Sequence, residues 1–172
     1  MNETLNTLLT RRSIRKFKPE MVDESILDEI MKAGTFAPTG MGKQSPIIIC
    51  IKDPELLDEI RKENAKIMNR VGVDPFYGAP VIIMVIALNV PTAVYDGSCV
   101  IDNIMNAAWS LGVGSCWIHR AKEEMESPFG KKLLEKLNLE GDYIGIGHVA
   151  LGYIDGDVPN PKPRKENWIY KL

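Results

Sequence analysis

Short apolar runs alternate with amphipathic stretches along the chain, and the runs predict strands. Pro46 to Ile51 is continuous, β-branched and bounded by turn residues, and Val81 to Leu88 is the strongest run of this kind. Val113 to Ile118 is a shorter strand. Gly145 to Ile154 is a final strand whose glycines indicate places where a neighbouring group packs closely.

The stretches between these runs repeat their apolar positions at helical spacing. We expect helices from Thr4 to Leu9, from the N-cap Asp23 to Gly34, from Asp53-Pro54 onward, from Val94 to Leu111, and from Lys131 to Leu137. Strands separated by helices predict a sheet covered by helices.

The C-terminal tail from residue 158 onward carries Pro159, Pro161 and Pro163, so we expect it to be extended. Its apolar end, Trp168 to Leu172, needs a partner surface. That surface belongs either to the same domain or to another subunit.

Composition and charge exclude several classes of protein. The chain has 172 residues, 45% hydrophobic and 26% charged, which predicts a single globular domain over residues 1–172. A net charge of −2 argues against a nucleic-acid partner. Three cysteines without CxxC spacing argue against a disulfide framework and a metal site. With no signal peptide and no bilayer-length apolar run, we expect a cytoplasmic protein with no membrane partner.

Two basic clusters stand out in this acidic chain. Arg11 to Lys18 (RRSIRKFK) places five cations in eight residues, and Lys162 to Lys165 (KPRK) lies near the other end. The first is either a solvated charge run or an anion site in which guanidinium groups and a hydroxyl converge on a phosphate. Two separate clusters in an acidic chain favour one bound phosphate over a nucleic-acid surface.

The loop from Ala37 to Gln44 (APTGMGKQ) is either an ordinary connector or part of a binding site. Its two glycines permit close approach to a flat ligand, and Thr39 and Gln44 bring polar side chains. The glycine-rich run from Gly145 to Gly152 is not a nucleotide-binding loop, because neither Lys-Ser nor a helix follows it.

The two histidines and Cys116 complete the candidate chemistry. His148 lies inside an apolar strand, and we expect it to be packed and hydrogen-bonded. His119 follows a strand end, where ligand-facing groups often occur, so both a functional and a structural place stay open for it. Cys116 is expected to be a buried thiol, with a nucleophile as the alternative. No catalytic triad or metal spacing is present, so redox chemistry would need a cofactor.

The order of these features resembles the flavin-binding nitroreductase family over nearly the whole chain. The matching motifs are Arg11-Arg12-Ser13-Ile14-Arg15, Ala37-Pro38-Thr39-Gly40 with Gln44, Tyr77-Gly78-Ala79-Pro80, Ser110 to Ile118 (SLGVGSCWI), and Leu151-Gly152-Tyr153 followed by Lys162-Pro163-Arg164.

The resemblance implies an α+β fold: a three-layer α-β-α sandwich whose mixed, mostly antiparallel sheet is flanked by helices, in an intertwined homodimer. It implies FMN as the cofactor at the subunit interface and NADPH or NADH as the electron donor. It also implies that the tail, residues 158–172, crosses to the other subunit.

The resemblance assigns site residues position by position. Arg11, Arg12 and Ser13 match phosphate and ribityl contacts. Arg15 matches a cation beside flavin N1 and the C2 carbonyl, an electrostatic support rather than a catalytic residue. Trp117, Ile118, His119 and Arg120 fall where the family packs on the flavin and offers a backbone N–H toward flavin N5. The other matches are the loop residues Pro38, Thr39, Gly40 and Gln44 and the tail cations Lys162 and Arg164.

The function implied is that of an FMN-dependent NAD(P)H oxidoreductase. Flavin N5 would pass electrons by a ping-pong mechanism to a nitroaromatic, quinone or similar small acceptor. Departures from the family pattern at Gly42, Ser45-Pro46 and His119-Arg120 bear on the acceptor more than on FMN binding. The alternative is a non-catalytic FMN-binding protein, either a flavin carrier or a redox sensor.

Overall fold

The computed structural model describes residues 1–172 and contains six α-helices, four strands and one 3-10 turn at Gly40–Gly42. The helices are α1 (Glu3–Thr10), α2 (Glu24–Thr35), α3 (Pro54–Ile67), α4 (Ala93–Ser110), α5 (Ala121–Met125) and α6 (Pro128–Leu137). The strands are β1 (Pro46–Ile51), β2 (Val81–Leu88), β3 (Val113–Ile118) and β4 (Tyr143–Tyr153).

The strands form one antiparallel sheet in the order β1-β2-β4-β3, so β2 and β4 are central and β1 and β3 are the edges. The parallel component is an isolated bridge between Ser13 and Ser115, beside β3. The predicted mostly antiparallel sheet is therefore confirmed.

Helices cover both faces of the sheet because the central strand β2 is apolar on both faces. Ile83 and Val85 belong to a core with residues of α2 and α4. Ile82 and Met84 belong to a second core with residues of α3 and α6. The predicted three-layer α-β-α sandwich is confirmed. None of the helices is long and apolar enough to cross a membrane.

The first three strands have the predicted boundaries, whereas the region after β3 differs from the prediction. Helix α5 was not predicted, because five residues are too few to show a helical period. Helix α6 begins at Pro128, ahead of the predicted Lys131, because the Ser127 hydroxyl caps it by accepting a hydrogen bond from the Phe129 N–H.

The glycines of β4 mark close contacts, as predicted. A Cβ at Gly145 would lie 1.9 Å from the Ala121 carbonyl oxygen, and one at Gly147 would lie 2.6 Å from Trp117 Nε1. The start of α5 and the Trp117 ring therefore rest directly on the β4 backbone.

Two parts of the chain carry apolar side chains that the chain itself does not cover. Helix α1 buries none of its residues, and Leu5, Leu8 and Leu9 are at least half exposed. The tail from 158 to 172 contains neither helix nor strand, and Ile169 and Tyr170 near its end are 80% and 77% exposed. Both surfaces are available for contact with another molecule.

Candidate functional site

The basic segment, residues 11–18, lies along the β3 edge of the sheet. The Ile14 N–H donates to the Ser115 carbonyl at 2.9 Å. Ile14 and Phe17 are buried, at 2% and 8% exposure, and anchor the segment in the core. Arg15, between these two anchors, is exposed.

The two basic clusters of the sequence meet at one cavity of about 570 Å³. The lining residues are Arg11, Arg12, Ser13, Lys162 and Arg164, together with Leu8, Leu9 and Pro161. Four cations and a hydroxyl line the cavity without a carboxylate among them. This arrangement suits an anion such as a phosphate group.

Arg12 is only partly committed to the fold. Its Nη1 donates to the Leu9 carbonyl at 3.0 Å and to the Arg11 carbonyl at 2.6 Å, which satisfies carbonyl groups at the C-terminal end of α1. Its Nε is buried and has no hydrogen-bond partner within the chain. Arg12 thus lines the cavity with a guanidinium group that the end of α1 holds in place.

Arg15 lies over an aromatic ring outside the cavity. Its guanidinium carbon is 5.9 Å from the centre of the Tyr77 ring, within the range of a cation–π contact. Asp74 accepts hydrogen bonds from the N–H groups of Phe76 and Gly78, at 2.8 and 2.7 Å, and so fixes the turn that carries Tyr77. The Arg15 side chain therefore has a defined neighbour although it is exposed.

Cys116 is 3% exposed, which confirms the predicted buried thiol. Burial raises the pKa of the Cys116 thiol, while the positive charge of Arg15 and a hydrogen bond with Ser13 act in the opposite direction. A thiol whose pKa is raised is a poor nucleophile, because the thiolate is the reactive form.

The loop that precedes β1 is tied to the first turn of α4 by the buried Asp96. Asp96 Oδ1 accepts from the Gly40 N–H at 2.9 Å, and its Oδ2 accepts from the Thr92 hydroxyl at 2.9 Å. A Cβ at Gly40 would lie 2.8 Å from the Thr92 side chain, so the close approach needs glycine. The Thr39 hydroxyl accepts from the Gln44 N–H at 3.1 Å.

Thr39 and Gln44 line a second cavity, of about 410 Å³, between the loop and α2. Its wall includes Asp28, Thr35 and Val100 and none of the residues around the basic cavity. Pro38 is exposed beside it. The loop and the basic segment therefore belong to two different places on one chain.

These two places lie diagonally across the sheet. Ser13 bridges Ser115 on the β3 edge. Ser115 pairs with Leu151 of β4, which in turn pairs with Val81 at the start of β2. The loop enters the β1 edge at Pro46, which pairs with Ala87 at the opposite end of β2. Four interstrand spacings of about 4.8 Å and six residues of about 3.3 Å each give a diagonal separation of roughly 25–30 Å.

Trp117 and Ile118 face opposite sides of the sheet. The half-buried Trp117 packs with the core of α2 and α4, whereas Ile118 is buried in the core of α3 and α6. The two side chains therefore pack in different layers, and their joint contact with a flavin stays a prediction.

The next two residues form a turn in which His119 is exposed and Arg120 is half-buried. Arg120 has a left-handed backbone with φ of 81°, while its side chain pairs with Glu123 at 3.7 Å. The N–H groups of His119 and Arg120 donate to no group within the chain. Unused donors at the end of an edge strand suit contact with a ligand.

Behind this turn lies a fully buried polar network that the sequence pattern did not reveal in full. Glu124 Oε1 accepts from Asn64 Nδ2 at 2.6 Å, and Glu124 Oε2 accepts from His148 Nε2 at 2.7 Å. All three side chains are 0% exposed. The predicted packed, hydrogen-bonded His148 is confirmed. Asn64, Glu124 and Asp96 were missed as site residues, and their only sequence signal is a polar residue on an otherwise apolar helix face.

Within the chain, no group of three or more His, Cys, Asp or Glu side chains is arranged to hold a metal ion.

The chain is similar to a known protein family, to solved structures and to an NADPH-dependent oxidoreductase. Residues 8–153 match the nitroreductase family. A nitroreductase of Bacteroides fragilis solved with bound FMN is 26% identical, with a TM-score of 0.90 over 100% of both chains. One from Desulfitobacterium hafniense, also with bound FMN, is 29% identical, with a TM-score of 0.86 over 100% of both chains. An NADPH-dependent oxidoreductase of Staphylococcus saprophyticus is 26% identical over 178 residues, covering 92% of this chain and 68% of that protein.

Proposed function

The chain belongs to the nitroreductase family, and on that premise we propose that it moves electrons from NAD(P)H through FMN to a small acceptor such as a nitroaromatic or a quinone. The class of enzyme is an NAD(P)H-dependent flavin oxidoreductase with FMN as its cofactor. The ping-pong order and the choice of acceptor are the parts that we propose for this chain.

The convergence of both basic clusters on one cavity carries the proposal. The FMN phosphate would receive charge-assisted hydrogen bonds from Arg11, Arg12 and Ser13 on one side and from Lys162 and Arg164 on the other. The bonds from Arg12 Nη1 to the Leu9 and Arg11 carbonyls hold this guanidinium at the cavity, so its positive charge is already in place for such an anion. The residues present therefore fit the phosphate of this cofactor.

Arg15 supplies the electrostatic part of the site. When bound, FMN supplies the redox chemistry, taking hydride from NAD(P)H at N5 and passing electrons to the acceptor. Arg15 would lie beside N1 and the C2 carbonyl, where its charge favours the negative charge that develops on reduction. The contact with Tyr77 restricts the Arg15 side chain and so holds that charge in place.

A homodimer would unite the two separated halves of the site. The loop residues Pro38, Thr39, Gly40 and Gln44 lie roughly 25–30 Å from the basic segment of the same chain, so we propose that a second copy provides this loop. Because Lys162 and Arg164 line the basic cavity of their own chain, we propose that only the apolar end of the tail, and not all of residues 158–172, crosses to the second copy. The exposed leucines of α1 and the exposed tail end support a contact between copies.

Complementation between two damaged variants tests this composite site. Arg11→Ala combined with Arg164→Ala damages the phosphate half, and Gly40→Val damages the loop half because the new side chain would collide with Thr92. Each variant alone should bind little FMN. Equal amounts of the two, refolded together, should bind FMN at about one quarter of all sites, because a mixed dimer contains one intact site.

Failure of the mixture to bind more FMN than either variant alone contradicts the two-copy site. For the reaction order, initial rates at several NADPH and quinone concentrations should give parallel double-reciprocal lines. Intersecting lines contradict the ping-pong scheme.

A further inference from the structure

We propose that Asn64, Glu124 and His148 are positioning residues that aim the backbone N–H of Arg120 at the flavin ring. This inference rests on the proposed function, since it concerns a donor to the cofactor. The three side chains come from α3, α5 and β4 and join these elements in the interior.

The network is an unfavourable way to fill a core. A buried group of this kind is often no more stabilising than apolar residues of the same volume. Two of its polar atoms, Asn64 Oδ1 and His148 Nδ1, are buried without a hydrogen-bond partner. A buried network in which some polar atoms lack hydrogen-bond partners stabilises the fold even less. A role in placing a neighbouring group accounts for the network better than stability does.

The group that the network places is the turn at His119 and Arg120. Asn64 Nδ2, besides its bond to Glu124, donates to the His119 carbonyl at 3.0 Å. The Glu124 N–H donates to the Arg120 carbonyl at 3.0 Å. The Asn64 side chain thus holds the His119 carbonyl, and the Glu124 backbone holds the Arg120 carbonyl.

The direction in which the Arg120 N–H points follows from the geometry of the peptide unit. The His119 carbonyl and the Arg120 N–H belong to one planar peptide group, and the chain has no cis peptide bond. In a trans peptide these two bonds point in opposite directions. Because Asn64 holds the carbonyl from the buried side, the Arg120 N–H points away from the network, and no group of the chain accepts from it.

The packing around Gly145 restricts the same turn. A Cβ there would lie 1.9 Å from the Ala121 carbonyl oxygen, so β4 and the start of α5 are in direct backbone contact. The turn is therefore held from the sheet side as well as from α3. A donor fixed in this way needs no reorganisation when the flavin ring binds.

The direct test replaces Asn64 by Leu, which has the same number and branching of side-chain heavy atoms and no polar atom. FMN affinity should stay within about threefold of wild type, because the phosphate cavity is untouched. Anaerobic reduction of bound FMN by NADPH should slow by about tenfold to a hundredfold, as expected for a misplaced contact. The midpoint potential of bound FMN, measured by titration with dithionite, should rise, because a donor to N5 favours the oxidised ring.

Asn103→Leu is the matched control. Asn103 Nδ2 donates to the Ala33 carbonyl at 3.1 Å, so this substitution also removes a side-chain amide that holds a backbone carbonyl, but between α4 and α2. It should leave the reduction rate and the midpoint potential unchanged. Equal rates and potentials for Asn64→Leu and Asn103→Leu overturn the proposal.

A second pair of variants covers the case in which Asn64→Leu does not fold. Asn64→Ala then replaces it, and His148→Gln tests the far end of the network, where the new amide still faces Glu124. Asn64→Ala should slow the reduction of bound FMN and raise its midpoint potential. His148→Gln should leave both close to the wild-type values. Wild-type rates and potentials in Asn64→Ala overturn it.

The test also separates this inference from the proposed function. If wild-type protein binds FMN and neither NADPH nor NADH reduces it, the proposed function is wrong. The dithionite titration still compares the potentials of the variants, and an unchanged potential in Asn64→Leu then overturns the positioning role independently.

Discussion

Asp96 offers a quantitative test of how the loop half of the site is built. Its carboxylate is 4% exposed and accepts hydrogen bonds from the Gly40 N–H and the Thr92 hydroxyl, both at 2.9 Å. Asp96→Ala removes the acceptor and leaves both donors without a partner in the chain. We expect a lower free energy of unfolding and weaker FMN binding, because the loop loses its attachment to α4.

The size of the effect follows from these two bonds. A hydrogen bond to a charged group contributes about 1.5–3 kcal/mol, and water at the half-buried Gly40 offsets part of the loss, so we expect about 3 kcal/mol. At about 2–4 °C for each kcal/mol in a domain of this size, Tm should fall by roughly 6–12 °C. Asp96→Asn keeps an acceptor for Gly40 and can donate to the Thr92 oxygen, so its loss should be about 1 kcal/mol.

Urea unfolding followed by circular dichroism, at a fixed protein concentration, measures these differences. Asp102→Ala is the control on the same helix, because Asp102 is exposed and accepts only from Asn106 Nδ2, at 3.0 Å. The free energy of unfolding of Asp102→Ala should stay within about 0.5 kcal/mol of the wild-type value. Similar losses for Asp96→Ala and Asp102→Ala would show that the buried carboxylate does not hold the loop.

Two further predictions concern Arg15 and Cys116. Arg15→Ala should lower the midpoint potential of bound FMN, whereas Lys16→Ala, which removes a neighbouring exposed cation paired with Asp155, should change it much less; equal shifts would refute the role of Arg15. Because burial raises the pKa of Cys116 above its usual 9.0, the folded state holds that proton more tightly than the unfolded state. This proton therefore contributes to the free energy of unfolding below pH 9, and its contribution declines as pH rises toward the folded-state pKa. Cys116→Ala should make the fall in the free energy of unfolding above pH 9 less steep. An unchanged slope in the variant contradicts this reasoning.

The layers of the fold could be predicted from the sequence because their signal is local. The run from Val81 to Leu88 is apolar at consecutive positions, and only a strand covered on both faces buries such a run. The boundaries of β1 and β3 follow from turn residues beside them. Helix α5 escaped prediction because Ala121 to Met125 spans little more than one turn and has no period to detect.

The arrangement of the candidate site could be predicted only in part, because it depends on contacts between distant positions. The Gly40–Asp96 bond joins residues 56 apart, and the Asn64–Glu124 bond joins residues 60 apart. A polar residue on an apolar helix face does not reveal its partner. The opposite placement of the loop and the basic segment depends on the strand order β1-β2-β4-β3, which the sequence pattern leaves open.

The visible absorption spectrum of the purified protein, recorded before and after anaerobic addition of NADPH and then NADH, tests the central claim most directly. The account predicts a yellow protein, or one that becomes yellow with added FMN, whose flavin absorbance bleaches with at least one nucleotide. Bound flavin that neither nucleotide bleaches contradicts the proposed oxidoreductase and favours a flavin carrier or redox sensor. A colourless protein that does not take up FMN contradicts the cofactor site itself.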